Sequence, residues 1–177
     1  VWRLVTPILL RGDFLHLAFN MYWLYQLGTK GERHEGRFVY VVLVIVTAIL
    51  SNVAYYLAAG PNFEGMSGVV YGIVGYMWAM AYMNPMLSYR LEPSLVRFFL
   101  IWYVLCLVLT MFGFGIANTV HGVGALTGIL VGLVQTYRSN KNIRWSGYLG
   151  QESFYMVAIL VALILGGVYT DHLLYYR

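Results

Sequence analysis

The longest stretch without a charged side chain is residues 98–137, which contains no Lys, Arg, Asp or Glu over 40 residues. A transmembrane helix needs about 20 predominantly apolar residues, so this stretch is long enough for two helices. Gly113 and Gly115 disfavour one continuous helix and place the break at residues 112–115. A second uncharged stretch covers residues 38–63. The sequence therefore predicts a chain that crosses a membrane several times.

Composition supports this interpretation and excludes other classes of protein. Hydrophobic residues make up 60% of the 177 residues and charged residues 10%, whereas about a quarter of the residues of a soluble domain are charged. The net charge is +4, but the basic residues lie in short clusters between apolar stretches. We therefore expect a lipid bilayer, and no nucleic acid, as the surroundings. Cys106 is the single cysteine, so no internal disulfide is expected.

Six crossings are predicted, which define an all-α, polytopic membrane helix bundle. Lys and Arg accumulate in the cytoplasmic loops of such proteins. Eight basic residues lie in the loops at 29–37, 84–97 and 138–150, against three on the other face, so these loops are predicted to be cytoplasmic and residues 30–37 to form a charged turn. The predicted helices are residues 14–28, 38–63, 67–83, 98–111, 117–137 and 153–170.

The third predicted helix opens with Gly-Met-Ser-Gly, which places Ser67 between Gly65 and Gly68 at its start. Gly65 and Gly68 allow another backbone to approach the hydroxyl closely and free the turn to adopt unusual dihedral angles. Tyr71 follows Ser67 by four positions and shares its helix face. Such a serine is a candidate nucleophile, which needs a base.

His121 is the candidate base because it lies near the start of the fifth predicted helix, on the same side of the membrane as Ser67. Glycines recur every four residues on both helices, a pattern that lets membrane helices pack closely. A serine–histidine hydrogen bond needs about 2.6–3.2 Å between heavy atoms. No carboxylate lies within the apolar stretches, which favours a Ser–His dyad over a triad. The glycines concerned are Gly68 and Gly72 on one helix and Gly124, Gly128 and Gly132 on the other.

His16 and Asn20 share a stripe near the start of the first predicted helix and could donate hydrogen bonds to an oxyanion. Other interpretations stay open at this point. A serine in a membrane helix is usually a packing residue, and a membrane histidine marks a proton or ligand pathway as often as catalysis. A small channel or transporter would spread polar residues over several helices, whereas here they are concentrated at one end.

Together these motifs resemble, in order and spacing, the rhomboid intramembrane serine proteases. The resemblance covers roughly residues 2–137. It is carried by Trp2-Arg3, Thr6, His16, Phe19-Asn20, Glu32-Arg33, Gly65-Met66-Ser67-Gly68, Tyr71, His121, Gly124 and Gly128.

The resemblance implies a serine endopeptidase of transmembrane proteins, with no metal and no cofactor, in a bacterial inner membrane with its active site toward the outer face. It implies that Ser67 is the nucleophile and His121 the general base. Its remaining implications are an oxyanion hole of His16, Asn20 and the Ser67 N–H, Tyr71 stacked beneath the His121 ring, Trp2 and Arg3 in a loop of the outer leaflet, and Glu32 in a cytoplasmic-side polar network.

The resemblance also divides the chain. Residues 1–137 are expected to form a rhomboid-like core without its first helix, residues 138–152 a cytoplasmic linker, and residues 153–177 an additional transmembrane helix. The chain departs from the family pattern at Val120, where alanine is common, and at His34, where arginine is common. The alternative function is that of a non-proteolytic relative that binds transmembrane clients.

Overall fold

The computed structural model describes residues 14–61, 65–83, 91–139 and 151–175. These residues form six α-helices, which confirms the predicted all-α bundle. The helices are α1 (Phe14–Glu35), α2 (Arg37–Ala59), α3 (Ser67–Met83), α4 (Pro93–Met111), α5 (Asn118–Ser139) and α6 (Gln151–Tyr175).

Helix α3 is the centre of the bundle, since 14 of its 17 residues are buried. It contacts α1, α2, α4 and α5. Seventeen residues at 1.5 Å per residue make a helix about 25 Å long, which is shorter than the roughly 30 Å hydrocarbon core of a bilayer. Because α3 is enclosed by longer helices, its first residue lies inside the bundle rather than on its surface.

Within the described part of the chain, four helices are long and apolar enough to cross a membrane: α2, α4, α5 and the segment Val157–Tyr175 of α6. Helix α1 carries Lys30, Glu32, Arg33 and Glu35 in its last turns, and α3 is short and surrounded by protein. The protein is therefore an integral, multi-pass membrane protein.

Contacts between helix ends define two ends of the bundle. Gln135 of α5 donates a hydrogen bond to Glu35 of α1 at 3.3 Å, so the last turns of these two helices meet. The first turn of α5 in turn meets Asp171 near the end of α6. The starts of α1, α3 and α5 and the ends of α2, α4 and α6 thus lie together, and we call this the site end.

Two predicted boundaries at the opposite end were wrong. Residues 30–37 are not a turn, because α1 continues to Glu35 and only Gly36, with φ of 82°, separates it from α2. Gly28 and Gly31 of α1 face the ring of Tyr40, and this packing keeps the charged turns helical. Helix α4 begins at Pro93 rather than at residue 98, since proline is well suited to the first turn of a helix.

Two predicted boundaries at the site end also differ. Helix α2 ends at Ala59, before residue 63, because Gly60 adopts a φ of 80° and its N–H bonds to Tyr56 O. Helix α6 continues beyond Thr170, since Asp171 is buried against α5. Helix α3 begins at Ser67 and ends at Met83, as predicted, and the break between α4 and α5 includes the predicted residues 112–115. Trp2 and Arg3 lie outside the described residues, as does most of the predicted linker.

Candidate active site

Ser67 and His121 meet at the site end of the bundle. The Ser67 Oγ lies 3.0 Å from His121 Nε2, although the two residues are 54 positions apart. Ser67 is 9% exposed and His121 4% exposed, so the pair is enclosed by protein. With Nε2 as the acceptor, the hydroxyl donates to the imidazole, which is the geometry required for a base to take the serine proton.

The backbones of α3 and α5 touch at the predicted glycines. A Cβ added at Gly124 would collide with the carbonyl oxygen of Gly68, and one added at Gly128 with that of Gly72. Glycine at both α5 positions is therefore a steric requirement of this crossing. Because these pairs share one offset of 56 positions, the two helices run parallel, and their first turns lie side by side.

Val120 is accommodated without separating the helices. Its Cγ1 methyl occupies the space where Gly68 lacks a side chain, and Ser51 of α2 borders the same space. Val120 is 3% exposed and packs with Tyr55 and Ala59 of α2. A larger residue than alanine therefore fits before His121 in this chain.

The His121 ring is held by aromatic neighbours. Tyr71 stacks on it with ring centroids 4.7 Å apart and planes inclined by 24°, and Tyr103 approaches it edge-on at 5.8 Å. The Tyr71 hydroxyl donates to Phe99 O at 3.1 Å. His121 Nδ1 is buried and has no hydrogen-bond partner among the residues that the structure describes. Among the described residues, the arrangement is therefore a pair of residues and not a triad.

The start of α3 presents backbone donors to the serine. Gly65 has a φ of 116°, a backbone conformation that residues other than glycine rarely adopt. The helix begins two residues later, and its first N–H groups have no partner within the helix. They also lie at the positive end of the helix dipole. Negative charge that develops beside Ser67 would therefore be stabilised there.

His16 and Asn20 lie near the start of α1, which is at the site end, and α1 packs against α3. Asn20 is 2% exposed, and its Nδ2 donates to the His16 backbone oxygen at 2.9 Å. An amide nitrogen carries two hydrogens, so one remains for another acceptor. His16 is half-buried. The oxyanion role of both side chains stays a prediction.

Glu32 lies at the opposite end. Its Oε1 forms an ion pair with Arg37 Nε at 3.0 Å, and the two side chains are 41% and 86% exposed. Such exposed pairs contribute about 0–1 kcal/mol. Its place in a wider polar network also stays a prediction. In the described part of the chain, no group of three or more His, Cys, Asp or Glu side chains could hold a metal ion.

Sequence reasoning missed one buried residue near the site, Asp171 of α6. Its carboxylate accepts hydrogen bonds from the backbone N–H groups of Asn118 at 3.0 Å and Thr119 at 2.6 Å. The available signal was an acidic residue directly after an apolar stretch. The predicted helix ended one residue earlier, at Thr170, and so left Asp171 outside the bundle.

The fold and the site define a polytopic membrane protein with a serine–histidine pair buried between two parallel helices. Residues 1–138 match the model of the Rhomboid domain. The chain belongs to the rhomboid family, and α6 lies beyond the matched residues.

Relatives with curated names are identical to this chain at about a third of the aligned positions. It is 34% identical over 144 residues to the rhomboid protease GlpG of Enterobacter sp. (strain 638), which covers 81% of the chain and 50% of that protein. Against the rhomboid protease GlpG of Photorhabdus laumondii the identity is 35% over 142 residues, with coverages of 80% and 50%. Against that of Salmonella paratyphi A it is 33% over 141 residues, with coverages of 80% and 51%. The chain thus spans about half the length of these relatives.

Proposed function

We propose that the protein is an intramembrane serine endopeptidase that hydrolyses peptide bonds of transmembrane segments near the outer face. The observation that carries this proposal is the 3.0 Å separation of Ser67 Oγ and His121 Nε2 inside a membrane bundle. The names of the relatives, rhomboid proteases, support the same activity.

In the acylation step, His121 Nε2 takes the proton of the Ser67 hydroxyl while Oγ bonds to the carbonyl carbon of the scissile peptide. The resulting oxyanion is stabilised by the Ser67 N–H and by the side chains of His16 and Asn20. The imidazolium then gives its proton to the leaving nitrogen, the C–N bond breaks, and an acyl-serine remains.

In the second step, water replaces the amine. His121 takes a proton from the water, the hydroxide attacks the acyl carbon, and the ester bond to Oγ breaks as Ser67 regains its proton. Tyr71 restricts the imidazole to one plane during both steps through its stacked ring. The reaction needs no metal and no cofactor.

The substrate class follows from where the pair lies. A peptide bond must reach a site buried at the end of α3, so the loop at residues 112–117 and helix α4 are the elements that would move. The loop is supported by little packing, since Met111, Phe112 and Phe114 are 70%, 79% and 58% exposed. A transmembrane segment of another protein in the bilayer is the substrate that can approach α4 from the side.

The proposal is tested with purified protein in liposomes and a single-span substrate carrying helix-breaking residues near one end. Cleavage is followed by gel and mass spectrometry, and serine reactivity by a fluorescent fluorophosphonate. Ser67→Ala should abolish labelling and reduce cleavage by roughly 1,000-fold or more. Ser51→Ala is the matched control, because the Ser51 hydroxyl is buried one helix away and bonds only to carbonyls of its own helix.

Equal cleavage by Ser67→Ala and the unchanged protein would contradict the assignment of the nucleophile. Retention of the substrate without cleavage, together with no fluorophosphonate labelling, would instead identify a non-proteolytic relative that binds transmembrane clients.

A further inference from the structure

Helix α5, which carries His121, begins without a side-chain cap from the residue before it, although the Asn118 N–H also bonds to the Ile116 backbone oxygen at 3.0 Å. Its first residue is Asn118, and the residue before it, Ala117, has no side-chain acceptor. The first N–H groups of a helix have no intrahelical partner and need acceptors from elsewhere. The preceding residues 112–115 are exposed and give the helix start little support.

Asp171 supplies side-chain acceptors from another helix, and it shares the Asn118 N–H with the Ile116 backbone oxygen. Its Oδ1 and Oδ2 each accept one backbone N–H, from Asn118 at 3.0 Å and from Thr119 at 2.6 Å. Asp171 is 1% exposed. A buried carboxylate is costly unless hydrogen bonds and opposite charge compensate it, and the positive end of α5 provides both. The contact therefore holds two consecutive residues of the first turn.

A second set of hydrogen bonds ties the same turn to two helices. Asn118 Nδ2 donates to Thr110 Oγ1 of α4 at 2.6 Å and lies 3.3 Å from Thr170 Oγ1 of α6. The Tyr103 hydroxyl lies 3.0 Å from the backbone oxygens of both Asn118 and Leu163, and it can donate to one at a time. The ends of α4 and α6 and the start of α5 are thus joined at Asn118.

His121 follows Thr119 by two positions, so its Cα is carried by the turn that Asp171 holds. The His121 side chain has no anchor of its own at Nδ1 among the described residues. The distance from Nε2 to Ser67 therefore depends on where the backbone of this turn lies. We infer that Asp171 is a positioning residue: from α6, outside the matched Rhomboid domain, it clamps the first turn of α5 and so sets His121 against Ser67.

This inference rests on the proposed function for its kinetic consequence, and Asp171→Asn tests it. Asparagine keeps the shape of the side chain but replaces one acceptor oxygen by a donor, which faces a backbone N–H and breaks the clamp. We expect kcat for the transmembrane substrate to fall by about 10- to 100-fold, as for other small misplacements of reacting groups. KM should stay within about twofold of its original value, because substrate docking is untouched.

The matched control is His172→Ala. His172 is the next residue of α6, and its ring nitrogen lies 3.2 Å from Ala58 O of α2 rather than against α5. Its substitution removes this contact with α2 and leaves both hydrogen bonds from Asp171 to α5 in place, so kcat should not change. A local cap provides a rescue: Ala117→Asp added to Asp171→Asn should recover most of the lost kcat, since an N-cap carboxylate can accept N–H groups of the same turn.

Hydrogen exchange measures the clamp independently of activity. Asp171→Asn should speed exchange in a peptide covering residues 117–122 and leave residues 128–136 unchanged. Unchanged exchange in the first turn, or a folded Asp171→Asn protein with the original kcat, would overturn the inference. If the unsubstituted protein neither cleaves nor labels, the proposed function fails, while the exchange experiment still decides whether Asp171 holds α5.

Discussion

The His121 ring is positioned by packing more than by hydrogen bonds. Tyr71 covers one face, Tyr103 approaches the edge, and Ser67 is the only hydrogen-bond partner of the ring among the residues that the structure describes. An imidazole held in this way is sensitive to any shift of α5 relative to α3. The glycines at which these two helices touch are therefore as important to the site as the side chains that perform the chemistry.

Gly128→Ala tests this dependence about two helical turns after His121. The added methyl would collide with the Gly72 carbonyl oxygen, a backbone atom that cannot rotate away. Overpacking of this kind costs about 1–3 kcal/mol, so the midpoint of thermal denaturation in detergent should fall. Fluorophosphonate labelling of Ser67 should fall with it, because α5 has to move.

The matched control for this substitution is Gly166→Ala in α6. There the nearest atoms to an added Cβ are those of Leu107, at 3.6 and 3.9 Å, which is ordinary contact. Alanine also favours a helix over glycine by about 0.8–1.0 kcal/mol, so stability should be kept or slightly raised. An equal loss of stability in both variants would show that the backbone contact at Gly128 is not the cause of the loss.

Residues of the site were predictable where a local motif marks them. Gly-Met-Ser-Gly marks Ser67, and glycine spacing marks the face of His121. Asp171 carries no such mark, because its hydrogen-bond partners lie 52 and 53 positions away. Its burial depends on how α6 packs, which no local pattern in the sequence specifies.

At the scale of elements, α4 is joined to α1 by aromatic side chains. Trp102 stacks on Phe19 with centroids 5.3 Å apart, and Phe98 and Phe99 lie 5.6 and 5.1 Å from Trp23. Under the proposed function, these contacts would close the side of the bundle by which a transmembrane substrate approaches Ser67. Their strength therefore limits how readily α4 moves.

Trp102→Ala should speed cleavage of a transmembrane substrate. An aromatic pair contributes about 0.5–1.5 kcal/mol beyond its buried area, which corresponds to a gain of about two- to tenfold in turnover. Labelling by a small fluorophosphonate should change less, since that probe does not need the helices to separate. The comparison is Ile101→Ala on the lipid side of α4, where Ile101 is 69% exposed. Equal rates in Trp102→Ala and the unchanged protein would contradict a gate at this contact.

The existence of each described helix could be predicted from the length of its uncharged stretch. The start of α3 could be predicted from its glycines. The ends were less predictable, since charge alone suggested a turn at residues 30–37. The charged side chains of α1 can reach solvent while the opposite face packs on Tyr40, so their presence does not end the helix. Charge patterns indicate which segments contact water, but they do not indicate where the hydrogen bonding of a helix ends.

At the scale of the whole molecule, the proposed orientation places the site end at the outer face. The single cysteine allows a direct test, because Cys106 is buried and 4% exposed. Gly115→Cys introduces a thiol at the site end, and Ser139→Cys introduces one at the opposite end; both positions are exposed. A membrane-impermeant maleimide added to intact cells should label the first variant at least about tenfold faster, since the bilayer excludes the charged reagent from the second.

Permeabilised cells provide the control, because both thiols should then react at similar rates. Faster labelling of Ser139→Cys in intact cells would reverse the orientation and place the site toward the cytoplasm. The unsubstituted protein should show little reaction under either condition.

At Gly124 and Gly128 the crossing of α3 and α5 is a contact between main chains, so no side chain can rearrange at these two points. Mutations on the lipid-facing surfaces of the surrounding helices can alter the tilt of those helices, their match to the bilayer thickness or their binding partners. They can do so without changing the contact between α3 and α5. The distance between α3 and α5 is therefore little affected by such mutations. The outer surface can change in sequence while Ser67 and His121 keep their separation.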